Sequence, residues 1–268
     1  AEDSESSDQS LTWSATERLR RKDFGAMDDV ELRAVYHLMN KIHLELPLRV
    51  ARRTYPAHYG HQIDLRDSFR SCLRSGGEIV RLRWRRRKRR PRRLIVICDI
   101  SGSMERYTAA LLAFVHATAR GLPRGEAFVF GTRLSRITRL LTSRRIADVL
   151  QSVSSHVLDW GGGTRIGEVL HGFNYRWARR VLSERAVVVL ISDGWDRGDA
   201  ELLRTEIDRL RRSCGQLIWL NPLAGSPGFE PLTRGLQAAL PFVDVHLPAH
   251  NLKSLEEFGA LLGALNHT

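Results

Sequence analysis

The sequence predicts a doubly wound α/β domain with a mostly parallel sheet over residues about 92–268. Short apolar runs of strand length, such as residues 94–98 and 186–191, alternate with segments that carry the apolar spacing of a helix. Strands of a parallel sheet read as continuous apolar runs because helices cover both faces of the sheet. The 268 residues, 43% of them hydrophobic and 27% charged, are enough for a full core and exclude a wholly disordered chain.

The predicted strands and helices alternate in the order that a doubly wound sheet requires. Predicted strands cover residues 94–98, 127–130, 134–141, 186–191, 216–220 and 242–245. Predicted helices cover residues 107–120, 144–153, 166–182, 201–212, 235–240 and 252–265. The strand segments are short and rich in Val, Ile, Leu and Phe, whereas the helical segments are longer and repeat apolar residues every three or four positions.

A different organisation is predicted before residue 92. Residues 1–12 are rich in Ser, Asp and Glu and predict a disordered tail, because they offer almost no apolar surface to bury. Residues 13–91 predict a helical, basic N-terminal extension. Its main helix follows Asp28, where an acidic pair precedes an apolar pattern of helical period, and residues 49–62 predict an extended linker.

The net charge of +12 comes mostly from one tract, since ten of the 13 residues from Arg81 to Arg93 are basic. Three roles fit this composition. The tract can be an edge strand guarded by arginine, or a docking surface for an acidic protein partner that uses Arg85, Arg86 and Arg87. It can also contact nucleic acid, which defines the alternative function of a basic nucleic-acid-binding protein. Base stacking has little support, because Trp84 is the only aromatic residue in the tract.

The cysteine content and hydropathy pattern predict a cytoplasmic protein. Cys72, Cys98 and Cys214 are odd in number and widely spaced, which supports neither a disulfide framework nor a zinc ribbon. No apolar run reaches the length of a membrane span, and no signal peptide is visible. The sequence contains no GxxxxGK[ST] motif, so any ATP hydrolysis would have to come from a partner.

Polar side chains cluster where ligands bind in open parallel sheets, outside the carboxyl ends of the strands. Asp99, Ser101 and Ser103 follow the first strand of the domain. Thr164 precedes a helix, and Asp193 follows another apolar strand. These oxygen donors, with no His or Cys among them, predict a site for Mg²⁺ or Mn²⁺. Three hydroxyls and one or two carboxylates leave coordination positions open for water or for an Asp or Glu of a protein partner.

The same loops are compatible in part with other chemistries. Asp99 and the two serines also fit a helix cap and an ordinary turn. The Gly161-Gly162-Gly163 segment has the composition of a phosphate loop, but its spacing fits neither GxGxxG nor a Walker motif. A phosphatase of the haloacid dehalogenase type needs a second Asp two residues after the first, and that position is Ser101. The sequence therefore predicts a binding protein and no enzyme.

The sequence also predicts roles for residues beside the metal site. Trp195, Asp196 and Arg197 follow the last metal residue and are expected to recognise a partner, because Trp and Arg are favoured anchors at interfaces. Cys98 ends an apolar strand and is expected to be a buried, inert thiol.

These motifs resemble those of a known family. Asp99-x-Ser101-x-Ser103, Thr164 and Asp193-Gly194 resemble the metal-ion-dependent adhesion site (MIDAS) of von Willebrand factor type A (VWA) domains. Four surrounding segments are similar to the CoxE-like family of bacterial VWA proteins, and the likeness covers roughly residues 15–262; the segments are FVFGTRLSRIT, WGGGTRIGE, ISDGWDRGD and IWLNPLAGSPGFEPLTRG.

The resemblance implies an intracellular accessory protein that works with a MoxR-type AAA+ ATPase. Such pairs mature or activate a client metalloenzyme, as with carbon monoxide dehydrogenase. The resemblance also implies that the five motif residues hold the metal ion and that the chain is an adaptor without catalytic activity of its own.

Overall fold

A computed structural model describes most of the chain. The described residues are 15–42, 44–74, 82–121, 125–156, 163–182 and 185–264. They form two units, a larger one made of residues up to 46 and from 93 onward, and a smaller one made of residues 47–92. The predicted disordered tail, residues 1–12, lies outside the described residues.

Helices and strands alternate along most of the chain. The helices are α1 (15–21), α2 (Asp29–Met39), α3 (Leu65–Arg74), α4 (Glu105–Gly121), α5 (Ile146–His156), α6 (Ile166–Phe173), α7 (Arg179–Val181), α8 (Ala200–Ser213), α9 (Arg234–Ala239) and α10 (Leu252–Ala264). The strands are β1 (Leu48–Ala57), β2 (Gln62–Ile63), β3 (Trp84–Pro91), β4 (Leu94–Asp99), β5 (Glu126–Phe130), β6 (Leu134–Arg136), β7 (Val187–Ile191), β8 (Gln216–Asn221) and β9 (Val245–Pro248). A π-helical turn over Asn174–Ala178 joins α6 to α7.

The larger unit is built on a six-stranded sheet of order β6-β5-β4-β7-β8-β9. Every neighbouring pair is parallel except β5 and β6. Strand β4 lies inside the sheet, and its alternating side chains enter two separate cores: Ile95 and Ile97 pack on the side of α6 and α8, and Val96 packs on the side of α4. The predicted doubly wound α/β class is confirmed.

Two strand ends differ from the prediction. Strand β6 ends at Arg136, whereas the sequence predicted a strand to residue 141, because a 3-10 turn occupies Leu140–Thr142. Strand β9 begins at Val245, three residues after the predicted start at 242. A 3-10 turn over Leu240–Phe242, with Pro241 in its first turn, occupies the predicted start of the strand.

The segment before residue 47 belongs to the larger unit, a boundary that differs from the predicted extension over 13–91. Helix α2 buries Val35 and Met39 in the core that α4 also lines. The backbone N–H of Phe24 donates to the carbonyl of His250 at 2.8 Å. The apolar stripe of α2 therefore covers one face of the α/β domain.

The smaller unit is a three-stranded antiparallel sheet of order β1-β3-β2 with helix α3. The prediction of an extended linker over residues 49–62 is corrected, because β1 pairs with β3 from Leu48 opposite Pro91 to Ala57 opposite Trp84. The partner strand is distant in sequence, so no local pattern indicated the pairing. The basic tract does contain a strand, β3, but the prediction of an edge strand is wrong, because β3 lies between β1 and β2 and pairs with both. Arg81 lies outside the described residues.

None of the helices in the described part of the chain is both long and apolar enough to cross a lipid bilayer.

The buried centre of the sheet generates a stability prediction. Leu190 in β7 is fully buried, so Leu190→Ala should lower the free energy of unfolding by about 3 kcal/mol through lost contacts and a residual cavity. Leu232→Ala is the matched control, because Leu232 is 67% exposed and its truncation should cost less than about 0.5 kcal/mol. Denaturant unfolding measures both; equal losses in the two variants would contradict the assigned core.

Candidate metal centre

Three of the five predicted metal ligands open onto one cleft at the carboxyl edge of the sheet. Ser101 and Ser103 follow β4, and Thr164 lies just before α6. The two serine Oγ atoms are 3.2 Å apart. The cleft has a volume of about 300 Å³, and its lining residues are Ser101, Gly102, Ser103, Gly163, Thr164, Trp195, Asp196 and Arg197. The structure thus brings together hydroxyls that the sequence separates by about 60 residues.

Asp99 ends β4 and lies behind these hydroxyls, fully buried. Its Oδ1 accepts a hydrogen bond from the Ser101 N–H at 2.9 Å, and its Oδ2 accepts one from the Ser192 hydroxyl at 2.8 Å. Burial raises the pKa of Asp99 to about 7, although the hydrogen bonds from Ser101 and Ser192 oppose the shift. The nearby Asp193 charge adds to the increase in pKa.

Asp193 is the second buried carboxylate, 1% exposed, two residues beyond the end of β7. Its Oδ1 accepts a hydrogen bond from the Trp195 N–H at 2.9 Å, while its Oδ2 is buried with no hydrogen-bond partner among the described residues. Burial also raises the pKa of Asp193. The turn needs glycine next, because Gly194 has φ +78° and a Cβ there would lie 2.4 Å from Leu236.

The donor set fits a hard divalent cation. Within the described ranges, no Lys, Arg or His side chain is paired with Asp99 or Asp193, so no basic group neutralises either buried carboxylate. The described residues also contain no group of three or more His, Cys, Asp or Glu side chains that could hold a metal ion. A cation at this edge would therefore depend on the hydroxyls of Ser101, Ser103 and Thr164, with the carboxylates behind them.

Two hydrogen bonds join the Thr164 segment to the loop after β7. The side chain of Arg165 at the start of α6 makes no capping bond. Asp196 supplies the cap instead, because its Oδ1 accepts the N–H of Ile166 at 3.0 Å. The N–H of Arg197 donates to the carbonyl of Thr164 at 2.9 Å. One loop thus carries Asp193 and also positions the Thr164 hydroxyl.

The predicted recognition residues fall into two groups. Trp195 is 63% exposed and Arg197 is exposed, and both border the cleft where a partner would approach. Asp196 also lines the cleft, but its Oδ1 accepts the backbone N–H groups of Ile166 and Gly198, so it holds the loop in place. Its role in partner contact stays a prediction.

The remaining predicted partner residues, Arg85, Arg86 and Arg87, lie on β3 in the smaller unit and line a different groove. Arg85 pairs with Asp64, and Arg86 donates to the carbonyl of Tyr59 at 2.6 Å. Gly161 and Gly162, which have the composition of a phosphate loop, lie outside the described residues.

Sequence reasoning missed the residues that hold the carboxylates in place. The Ser192 hydroxyl donates to Asp99 and accepts the Gly194 N–H at 3.1 Å, which joins the β4 and β7 loops. Its position between an apolar strand and Asp193 was a usable signal. The Trp219 indole N–H donates to the Ser192 carbonyl at 2.8 Å across neighbouring strands. No local sequence pattern predicts that contact.

A comparison with protein-family models identifies a family for this chain. A family model described as "VWA domain containing CoxE-like protein" matches residues 36–255. A comparison with curated proteins found no match. Among solved structures, the chain is similar to a von Willebrand factor type A protein from Catenulispora acidiphila, with 18% identity, a TM-score of 0.45, and coverage of 67% of this chain and 44% of that chain.

Two further solved structures are similar at comparable levels. An aerotolerance-related membrane protein from Bacteroides fragilis has 16% identity and a TM-score of 0.43, with 66% of this chain and 100% of that chain covered. Manganese-loaded TRAP protein from Plasmodium vivax has 18% identity and a TM-score of 0.40, with 65% and 73% covered. At these scores the neighbours carry no inference about the ligands of this chain.

The Asp196 cap generates a testable prediction. Asp196→Ala should lower the free energy of unfolding by about 1 kcal/mol, because the first turn of α6 loses its acceptor. It should also speed hydrogen exchange at the Ile166 amide. Asp196→Asn keeps an accepting oxygen and is the matched control. Denaturant unfolding and amide exchange measure the two effects; an Asp196→Ala protein as stable as the wild type would contradict this role.

The buried Asp99 generates a pH prediction for protein in EDTA. The pKa of Asp99 is about 7 in the folded state against its ordinary value of 3.8, so between these pH values the folded state holds a proton that the unfolded state has released. The Asp99 contribution to stability is present below about pH 4 and is lost as pH rises to about 7, by at most about 1.4 kcal/mol per pH unit. Relative to Asp99→Asn, the wild type should become progressively less stable across this range; a constant difference would contradict the assignment.

Proposed function

The chain belongs to the VWA domain containing CoxE-like protein family, since the family model matches residues 36–255, and we propose that it is a metal-dependent adaptor that binds a protein partner. Binding would use the cleft lined by Ser101, Ser103 and Thr164. The proposed role is to bind and present a partner, without catalysis by this chain.

One observation carries the proposal: two buried carboxylates without a basic partner lie behind three hydroxyls at the edge of the sheet. Keeping both carboxylates ionised in a dry site is costly, and a divalent cation would offset that cost. Ser101, Ser103 and Thr164 would hold Mg²⁺ or Mn²⁺, with Asp99 and Asp193 acting directly or through water. Neutral hydroxyl ligands neutralise little of the ion's positive charge. The ion would therefore attract an Asp or Glu of the partner to a remaining coordination position.

The proposed partners follow from the family. They are a MoxR-type AAA+ ATPase and a client metalloenzyme of the carbon monoxide dehydrogenase kind, which the adaptor would help to mature or activate. The 268 residues contain no P-loop, so ATP hydrolysis is assigned to the partner. A cytoplasmic location is part of the proposal, and three widely spaced cysteines, all free, favour a reducing compartment.

The metal part of the proposal is tested by titration with Mg²⁺ and Mn²⁺ in a calorimeter. Wild type should bind one ion near neutral pH, and Thr164→Ala should weaken binding at least tenfold, because one hydroxyl donor is lost. Asp99→Ala should abolish binding while circular dichroism shows an intact fold. Asp148→Ala is the control, since Asp148 is an exposed carboxylate on α5. Equal binding by wild type and Asp99→Ala would contradict the assigned site.

The partner part is tested by capture from an extract of the source cells, with Mg²⁺ or with EDTA. Wild type with metal should retain an AAA+ ATPase or a metalloenzyme, and neither Asp99→Ala nor EDTA-treated wild type should do so. Capture of the same proteins irrespective of metal and Asp99 would contradict the proposal.

A further inference from the structure

The smaller unit carries the whole net charge of the chain. Residues 47–92 contain 15 Lys and Arg residues against three Asp and Glu residues, a net charge of +12. The rest of the chain has 27 of each sign and is neutral. A charge this concentrated in 46 residues marks a surface for a polyanion, because it repels itself unless an opposite charge approaches.

Helix α3 of this unit has the opposite burial pattern to an ordinary surface helix, with a polar residue buried and apolar residues exposed. Its buried residue is polar: Ser68 is 5% exposed and its Oγ accepts the Arg83 N–H at 2.9 Å. Its large apolar residues face solvent instead, with Leu65 65%, Phe69 64% and Leu73 78% exposed. These three recur every four residues and form one continuous stripe along the helix.

An arginine follows each residue of this stripe. Arg66, Arg70 and Arg74 come directly after Leu65, Phe69 and Leu73, and all three arginines are exposed. Successive helical residues are about 100° apart, so the arginines form a basic row along one flank of the stripe. A helix that exposes an apolar stripe beside a basic row is typical of segments that lie in the interface of an anionic bilayer.

Strand β3 adds further exposed basic side chains to the same unit. Arg87, Lys88 and Arg89 are exposed, and their side chains have no hydrogen-bond or ion-pair partner in the described part of the chain. They line an open groove of about 1240 Å³ together with Val50 and Tyr55, which are 58% and 41% exposed. Polybasic clusters of this kind are attracted to anionic headgroups.

We propose that helix α3 and strand β3 of the smaller unit form a peripheral docking surface for an anionic phospholipid bilayer. The apolar stripe Leu65-Phe69-Leu73 would enter the boundary between headgroups and acyl chains, where the arginine stems can extend to phosphate. Arg87, Lys88 and Arg89 would add long-range attraction. A nucleic acid would satisfy the charge but leave two leucines of the stripe in water, so the bilayer explains both features with one partner.

Vesicle sedimentation with the full chain tests this surface. The probes are phosphatidylcholine vesicles with about one third phosphatidylglycerol, pure phosphatidylcholine vesicles, and a short single-stranded RNA as competitor. Wild type should sediment with the anionic vesicles only, in EDTA as well as in Mg²⁺. Asp99→Ala should bind vesicles like the wild type, so failure of this proposal and failure of the metal proposal are distinguishable.

The variants separate insertion from simple charge attraction. Phe69→Ser with Leu73→Ser leaves the charge unchanged and should weaken vesicle binding at least tenfold. The matched control is Leu232→Ser, an exposed leucine of the larger unit, which should have no effect. Arg70→Glu with Arg74→Glu should also weaken binding, and far more than Arg144→Glu with Arg145→Glu, an equal charge change at exposed positions of the larger unit.

Three outcomes would overturn the proposal. The first is no binding of wild type to anionic vesicles. The second is vesicle binding that the Phe69 and Leu73 changes leave intact. The third is RNA binding that displaces the vesicles and is insensitive to the same changes, which would assign the surface to nucleic acid. Leu65→Ser alone, with an expected smaller loss, keeps the test available if the double variant does not fold.

Discussion

The burial of Asp99 and Asp193 without a basic partner is the constraint on which the candidate site depends. Parallel strands β4 and β7 are neighbours, so the two carboxylates that follow them must be close together in a region that water hardly reaches. Burial raises the pKa of both groups. Such a pair is stable only with a bound proton or a cation, and the three hydroxyls in front of it are the ligands that a hard cation would use.

The geometry of the cleft comes from the sheet and from one loop. Ser192 joins the β7 loop to Asp99, and Asp196 with the Arg197 backbone joins it to the segment that carries Thr164. Loss of any one of these contacts would therefore shift proposed metal-binding side chains on two different loops. This coupling explains why Ser192, which does not line the cleft, is nonetheless buried and hydrogen-bonded.

The sequence predicted the α/β fold, and it predicted that the polar residues after β4 and β7 share one edge of the sheet, because both signals are local; their role as metal ligands stays a prediction. Apolar runs mark β4 and β7, and the polar residues after them fall at the carboxyl edge of the sheet by the rules of parallel topology. What it missed depends on pairing over long distances. Strand β1 becomes a strand only through β3, and the role of Asp196 appears only when α6 is seen beside the β7 loop.

The central claim is that the hydroxyl cleft holds a divalent cation, and anomalous diffraction from crystals of the full chain grown with Mn²⁺ tests it most directly. The account predicts one strong manganese peak bonded to the hydroxyl oxygens of Ser101, Ser103 and Thr164, with at least one position taken by water or by a carboxylate from another molecule. A map with no manganese at the cleft, at a concentration that saturates binding in solution, would contradict it.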